Sequence, residues 1–254
     1  ELRVMFLFFR LCRYQPAIGF NGVGMYIANN SLSHGPHTAI TGGGNDNLFE
    51  FNSITHVCFE CTDTGAFYIG RSWSQRGNVV RYNVFDTIRP TERLAQASCS
   101  QNAFYLDDEM SGYEFYGNTI INSTTGVLLG GGRRNMIHNN TFTNNDVDIA
   151  FDDRGLTWQL SYCNKNCTST RDGVNPSCFY KELEGLNYTN PPYSTRYPEL
   201  LTIYDDHPCV PVHNVIQDNQ YCHTKSKNGG KFITATDAQI ESWMSTIGNN
   251  VENC

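Results

Sequence analysis

Five times the chain repeats a short phrase: an Asn, then any residue, then a large aliphatic or aromatic one. The copies are Asn30-Ser31-Leu32, Asn52-Ser53-Ile54, Asn83-Val84-Phe85, Asn118-Thr119-Ile120 and Asn140-Thr141-Phe142. The Asn positions lie 22, 31, 35 and 22 residues apart, and Asn214-Val215-Ile216 offers a sixth copy. Self-similarity at such a period marks a solenoid. A unit of 22 residues without helical periodicity is too short for two helices. It fits one coil of a right-handed parallel β-helix, made of three short strands and three turns. The Asn side chains are then expected to stack in a ladder at one turn, each bonding to the next coil.

A second repeat keeps step with the first. It is a strand that ends in small or charged residues: Ala39-Ile40-Thr41-Gly42-Gly43-Gly44, Ala66-Phe67-Tyr68-Ile69-Gly70-Arg71, Ala103-Phe104-Tyr105-Leu106-Asp107-Asp108, Gly126-Val127-Leu128-Leu129-Gly130-Gly131 and Asp148-Ile149-Ala150-Phe151-Asp152-Asp153. The aligned position follows its Asn by 12 or 13 residues in the first, fourth and fifth copies, but by 18 and 24 in the second and third. Two neighbouring coils thus carry insertions at one place, and such insertions project from a single face, often the binding face. An all-β solenoid of six or seven coils is predicted, forming a single domain over residues 1–254.

Charge and cysteine usage narrow the function. A net charge of −7 and no basic patch argue against nucleic acid. No apolar run reaches 18 residues, so no membrane span is expected. Ten Cys fit a disulfide framework in a secreted, extracellular protein. Five Asn carry glycosylation signals, at Asn29, Asn122, Asn139, Asn166 and Asn187. Cys58-Phe59-Glu60-Cys61 and Cys163-Asn164-Lys165-Asn166-Cys167 have zinc-like spacing, yet no matching Cys/His pair of pairs follows. No metal and no other cofactor is expected, and calcium is not indicated.

The regular coils break at residues 156–212, a Cys-rich insertion in which Cys163, Cys167, Cys178 and Cys209 are expected to pair among themselves. Cys58 or Cys61 is expected to bond Cys99, and Cys222 to bond Cys254. Thr236 with Gln239 reads as a capping box opening a C-terminal helix over 236–247. At the other end, residues 4–9 are uninterruptedly apolar with nothing visible upstream to cover them. That pattern predicts self-association through the N-terminal end, and a stacked extracellular filament is the alternative to a sugar-directed function.

Stacking the coils places the strand-end residues in columns. One reads Gly43, Gly70, Asp107, Gly130, Asp152; the next Gly44, Arg71, Asp108, Gly131, Asp153. Adjacent coils lie about 4.8 Å apart, so Asp108 and Asp153 would flank the gap left by Gly131 at roughly 10 Å. Paired acids across such a gap are what glycoside hydrolysis uses. Asp63, Asp107, Asp108 and Asp153 are therefore the candidate catalytic residues of a polysaccharide lyase or glycoside hydrolase. Arg71, Arg76 and Arg154 are candidates for holding an acidic sugar.

Several stretches resemble right-handed parallel β-helix proteins of the pectate-lyase-like superfamily. They are Gly35-Pro36-His37-Thr38-Ala39-Ile40, Asp63-Thr64-Gly65-Ala66-Phe67-Tyr68-Ile69-Gly70-Arg71, Tyr105-Leu106-Asp107-Asp108, Gly130-Gly131-Gly132-Arg133-Arg134-Asn135, Asp153-Arg154-Gly155-Leu156-Thr157-Trp158 and Arg196-Tyr197-Pro198-Glu199-Leu200-Leu201. The resemblance implies the fold, in a superfamily that holds polysaccharide lyases, glycoside hydrolases, epimerases and non-catalytic fibre and adhesin proteins; a polysaccharide or glycan is the expected partner, and His37 and Arg133 join the substrate-contacting candidates. The sequence departs from that pattern at Asn47, where a His is common, and at Arg134, where an Asp is common.

Overall fold

The computed structural model describes residues 3–5, 15–61, 63–91, 101–163, 166–167, 178–222 and 231–254. Each coil runs through three parallel sheets in turn. The first sheet stacks Ile18–Val23, Ile40–Asn45, Thr64–Gly70, Gln101–Asp107, Thr125–Gly130, Val147–Asp152 and Lys231–Ile233. The second stacks Tyr26–Ala28, Leu48–Glu50, Asn78–Arg81, Tyr113–Tyr116, Met136–His138, Val215–Gln217 and Thr246–Gly248. The third runs from Arg3–Met5 through Ser31–Ser33, Ser53–Thr55, Val84–Asp86, Thr119–Ile121, Thr141–Thr143 and Gln220–Cys222 to Val251–Glu252.

Alternation explains these strands. In the third sheet the central residue of the rungs from Ser31–Ser33 to Thr141–Thr143 points inward, so Leu32, Ile54, Phe85, Ile120 and Phe142 pair in register and are fully buried. Phe49, Val80, Phe115 and Ile137 do the same in the second sheet. Phe67, Phe104, Val127 and Ile149 do so in the first. Each such side chain contributes roughly 1.5–3 kcal/mol on burial.

The Asn ladder stands at the corner between the second and third sheets. The Oδ1 of Asn52 accepts from the backbone and Nδ2 of Asn30, Asn83 from Asn52, Asn118 from Asn83, and Asn140 from Asn118, at 2.9–3.1 Å. It continues through Asn219 and Asn250, not Asn214. Asn214 belongs to a second ladder, where its Oδ1 accepts from the Asn135 backbone as Asn78 accepts from Asn47. An Asn before a strand fits both corners, so the phrase alone cannot tell them apart.

The insertion leaves the corner between the first and second sheets, after Asp152 and before Val215. Its own core packs Trp73 of the coils against Phe179, 4.9 Å between rings, with Tyr180, Leu183 and Leu200. Helix α1 (Phe179–Gly185), helix α2 (Tyr193–Arg196) and the 3-10 turn Pro198–Thr202 build it, stapled by Cys163–Cys209 and Cys167–Cys178. Cys222 bonds Cys254. Cys58 and Cys61, one of which is expected to bond Cys99, are both free thiols, and Cys99 lies outside the described residues. Helix α3 begins with the expected capping box but spans only Asp237–Ser242. It stops because Thr246–Gly248 is taken as a rung, with the Thr246 amide bonded to the Asn214 carbonyl. The expected N-terminal assembly surface falls mostly on residues outside the described set.

Candidate functional site

The strand-end columns read from the sequence meet in space. Gly70 pairs with Asp107 and Gly130 with Asp152. Arg71 Nη2 lies 2.5 Å from Asp108 Oδ2. The gap at Gly130 and Gly131 is not open, however. The Arg154 side chain fills it: a Cβ on Gly131, whose φ is +74°, would sit 2.8 Å from Arg154 Cγ. From there Arg154 reaches Asp107 at 2.5 Å, Asp152 at 2.7 Å and Asp108 at 3.4 Å. Asp107 also accepts from the Tyr68 hydroxyl at 2.7 Å, and Asp108 from Gln159. Burial would lower the Arg154 pKa, but its bonds to Asp152 carry it upward. Burial, then the Asp107 charge, pushes Asp108 up.

The other arginines chosen from the sequence hold the insertion down. Arg76 donates to Glu199 at 3.0 Å; Arg133 and Arg134 both pair with Asp206. Burial pulls Arg76 and Arg133 down to about 10, which leaves both charged at neutral pH. Glu182 of helix α1 accepts from Ser74 at 2.7 Å and from the Trp73 amide at 3.1 Å. Glu109 lies beneath, 3.1 and 3.2 Å from the bonded sulfur of Cys163. A disulfide sulfur has no proton, so the carboxyl is the donor; burial pushes Glu109 up to about 8, in keeping with a protonated acid. Asp153 only begins a 3-10 turn, and its side chain makes no bond with a described residue. Asp63 and His37 stand apart at the corner between the third and first sheets, Asp63 accepting from Tyr105 at 3.1 Å and His37 Nδ1 contacting Thr38 at 3.1 Å. Asn47 is a ladder residue.

A second cluster escaped the sequence reading. The residue before each ladder Asn turns the chain with positive φ: Asn29, Phe51, Tyr82, Gly117 and Asn139. Asn and Gly tolerate this conformation, but bulky aromatics rarely adopt it. Phe51 and Tyr82 hold φ of 56° and 54° and remain 53% and 46% exposed. Their rings stack at 5.6 Å and 16°. Tyr116 meets Tyr82 edge-on at 5.5 Å and stacks on His138 at 5.0 Å. Gly117 makes room, since a Cβ there would sit 2.5 Å from the Tyr82 ring. Polar groups line the strip: Glu50 accepts from Arg81 at 2.6 Å and from Tyr26 at 2.8 Å, Arg81 donates to the Tyr116 hydroxyl at 2.7 Å, and His138 meets Glu114 at 2.9 Å. The legible signal was the pair of dipeptides Phe51-Asn52 and Tyr82-Asn83, one residue upstream of the repeated phrase. Of the glycosylation signals, Asn29 and Asn139 stand exposed at this same corner; Asn166 and Asn187 are exposed on the insertion, and Asn122 is half-buried.

No curated protein and no solved structure matches the chain. Residues 26–173 match a family whose description is "Periplasmic copper-binding protein (NosD)". That description overturns the expectation that no metal or cofactor is involved. Among the described residues one trio of metal-binding side chains converges, Glu109, Cys163 and Cys209, but its two sulfurs are bonded to each other and offer no thiolate. Among the described residues the free thiols are Cys58 and Cys61, three positions apart in one turn; such a pair fits copper in its monovalent state. More than half of the sequence lies inside the match and its coils stack in three parallel sheets, so the chain belongs to the NosD family of right-handed parallel β-helix proteins.

Proposed function

We propose that this exported β-helix protein binds a neutral glycan chain along the strip formed by Phe51, Tyr82, Tyr116 and His138. One observation carries the reading: two exposed aromatic rings are held stacked in a backbone conformation that costs bulky residues energy. Strain of this kind, about 1–3 kcal/mol per residue, persists where function uses it. Exposed apolar surface edged by polar groups marks a binding site. The four residues occupy four successive coils, so the strip is about 15 Å long at about 4.8 Å per coil, room for several sugar rings. Glu50 is neutralised by Arg81, and the arginines of the opposite corner are engaged with the insertion, so nothing here favours an acidic chain. A guanidinium between the acids likewise favours binding over bond cleavage. Disulfides and membership in a periplasmic family support export.

Calorimetry with neutral and uronate-containing oligosaccharides tests the proposal. The full chain should bind a neutral oligosaccharide, and Phe51→Ala or Tyr82→Ala should weaken binding by about tenfold, the scale of a lost aromatic contact. An Asn29→Gln control removes any glycan attached beside Phe51. Undiminished binding by both aromatic variants, or binding of uronates alone, would overturn the reading. A second reading, copper binding, comes from the family and is favoured by the unbridged thiols of Cys58 and Cys61.

A further inference from the structure

The connection from Ser53–Thr55 to Thr64–Gly70 carries two thiols three positions apart. Cys58 is fully buried and Cys61 half-buried, so the pair has one shielded and one accessible member. The turn is clamped to the preceding coil. The Cys58 amide donates to the carbonyls of Gly35 and His37 at 2.9 and 3.2 Å, and the Glu60 amide to Pro36 at 3.1 Å. Cys58 holds φ of +64°, a conformation rare for a residue with a side chain. Cys61 Sγ lies 3.5 Å from the Cys58 carbonyl. Gln101, fully buried, donates to the Cys61 carbonyl, while its Oε1 has no bond to a described residue. Two thiols three positions apart thus share one turn that backbone contacts hold to the preceding coil, beside a buried acceptor with no bond to a described residue.

Resting on the copper reading, we propose that Cys58 and Cys61 form a two-thiolate site for copper(I). Soft thiolate ligands select copper(I), whereas copper(II) favours nitrogen and oxygen donors in a tetragonal array. Zinc takes four ligands, and among the described residues no third Cys, His or carboxylate joins this pair. Binding replaces two S–H bonds by two copper–sulfur bonds, both protons pass to solvent, and no electron moves. The buried sulfur and the half-buried one together keep the ion from water yet leave it a path in. The same shielding protects copper(I), which water and oxygen otherwise destabilise.

The test uses the full chain with its structural disulfides intact, titrated anaerobically with copper(I) against bicinchoninate and then measured by copper-edge X-ray absorption. One equivalent should bind with two sulfur neighbours. Cys61→Ala and Cys58→Ala should each weaken binding by more than about a hundredfold, beyond the 10–100-fold typical of losing an outer-shell partner. Circular dichroism follows folding; Cys61→Ala, at the half-buried position, keeps the test decisive should Cys58→Ala misfold. If the wild-type chain binds no copper(I), the copper reading and the site fall together. If it binds and the double variant binds equally well, only the site is wrong. Mapping of unreacted thiols that found Cys58 bonded to Cys61 in the native protein would also overturn it.

Discussion

Two corners of the same coils have opposite characters. At the corner between the first and second sheets, charged residues gather, are buried or half-buried, and are paired: Asp107, Asp108 and Asp152 share Arg154, and Arg76, Arg133 and Arg134 reach across to Glu199 and Asp206 of the insertion. At the corner between the second and third sheets, aromatic residues stand exposed, strained and uncovered. A cluster of acids and arginines reads as chemistry in a sequence, yet here it clamps a 62-residue connection onto the coils (Asp153 to Asn214). Charge density locates where two parts of a fold are joined as readily as where a ligand binds.

The largest expected effect separates the corners most sharply. Arg154→Ala removes the guanidinium that Asp107, Asp108 and Asp152 share, leaving the two buried acids only Arg71, and should cost about 3–5 kcal/mol in denaturant unfolding. Glycan binding by the folded fraction should be unchanged. A loss under about 1 kcal/mol would mean that the clamp is solvated and that the corner is free to serve as a site.

Next comes the dependence on pH. Glu109 is raised to about 8 and Asp148 to about 7, both by burial. Each binds its proton more tightly folded than unfolded. Their stabilising contribution is therefore complete below the unfolded carboxyl range and is lost as pH rises through 7 and 8. Stability should fall by an amount on the order of 6 kcal/mol between about pH 5 and pH 8, and Glu109→Gln should remove about half of that slope. An unchanged slope in the variant would show that Glu109 is not a buried protonated acid.

Asn83→Ala tests the support under the aromatic strip. Its side chain bonds the Asn52 backbone, the Phe49 and Arg81 carbonyls and Asn118. Leaving these groups unsatisfied should cost about 1–3 kcal/mol, and the loosened turn at Tyr82 should weaken glycan binding as well. Equal binding at lower stability would detach the strip from its ladder.

The smallest effect is expected where exposure is greatest. Phe51→Gly and Tyr82→Gly relieve a left-handed conformation worth about 1–2 kcal/mol while losing stacking and gaining unfolded-state freedom. Net stability should move by less than about 1 kcal/mol although glycan binding collapses. A loss of several kcal/mol would reclassify the rings as structural.

The repeat in the sequence determined the solenoid, because an Asn that must bond to the next coil and an inward residue two places on recur wherever a rung is needed. Asn30, Asn52, Asn83, Asn118 and Asn140 were legible for that reason, as was the capping box at Thr236. The strand-end columns were legible too, since parallel pairing without insertions inside the strands preserves register. What those columns do was decided only in three dimensions. The gap at Gly131 is filled by Arg154, which belongs to the turn that begins the insertion, and no local rule says which way that side chain reaches. Helix α3 ends early for a similar reason: a rung of sheet, hydrogen-bonded to Asn214, outcompetes the last helical turn. Whether Phe51 and Tyr82 face water was equally undecided until the insertion had folded over one corner and left the other bare. Local bonding between neighbouring coils repeats and can be read; the long connection across them occurs once, and only its packing says where it lands.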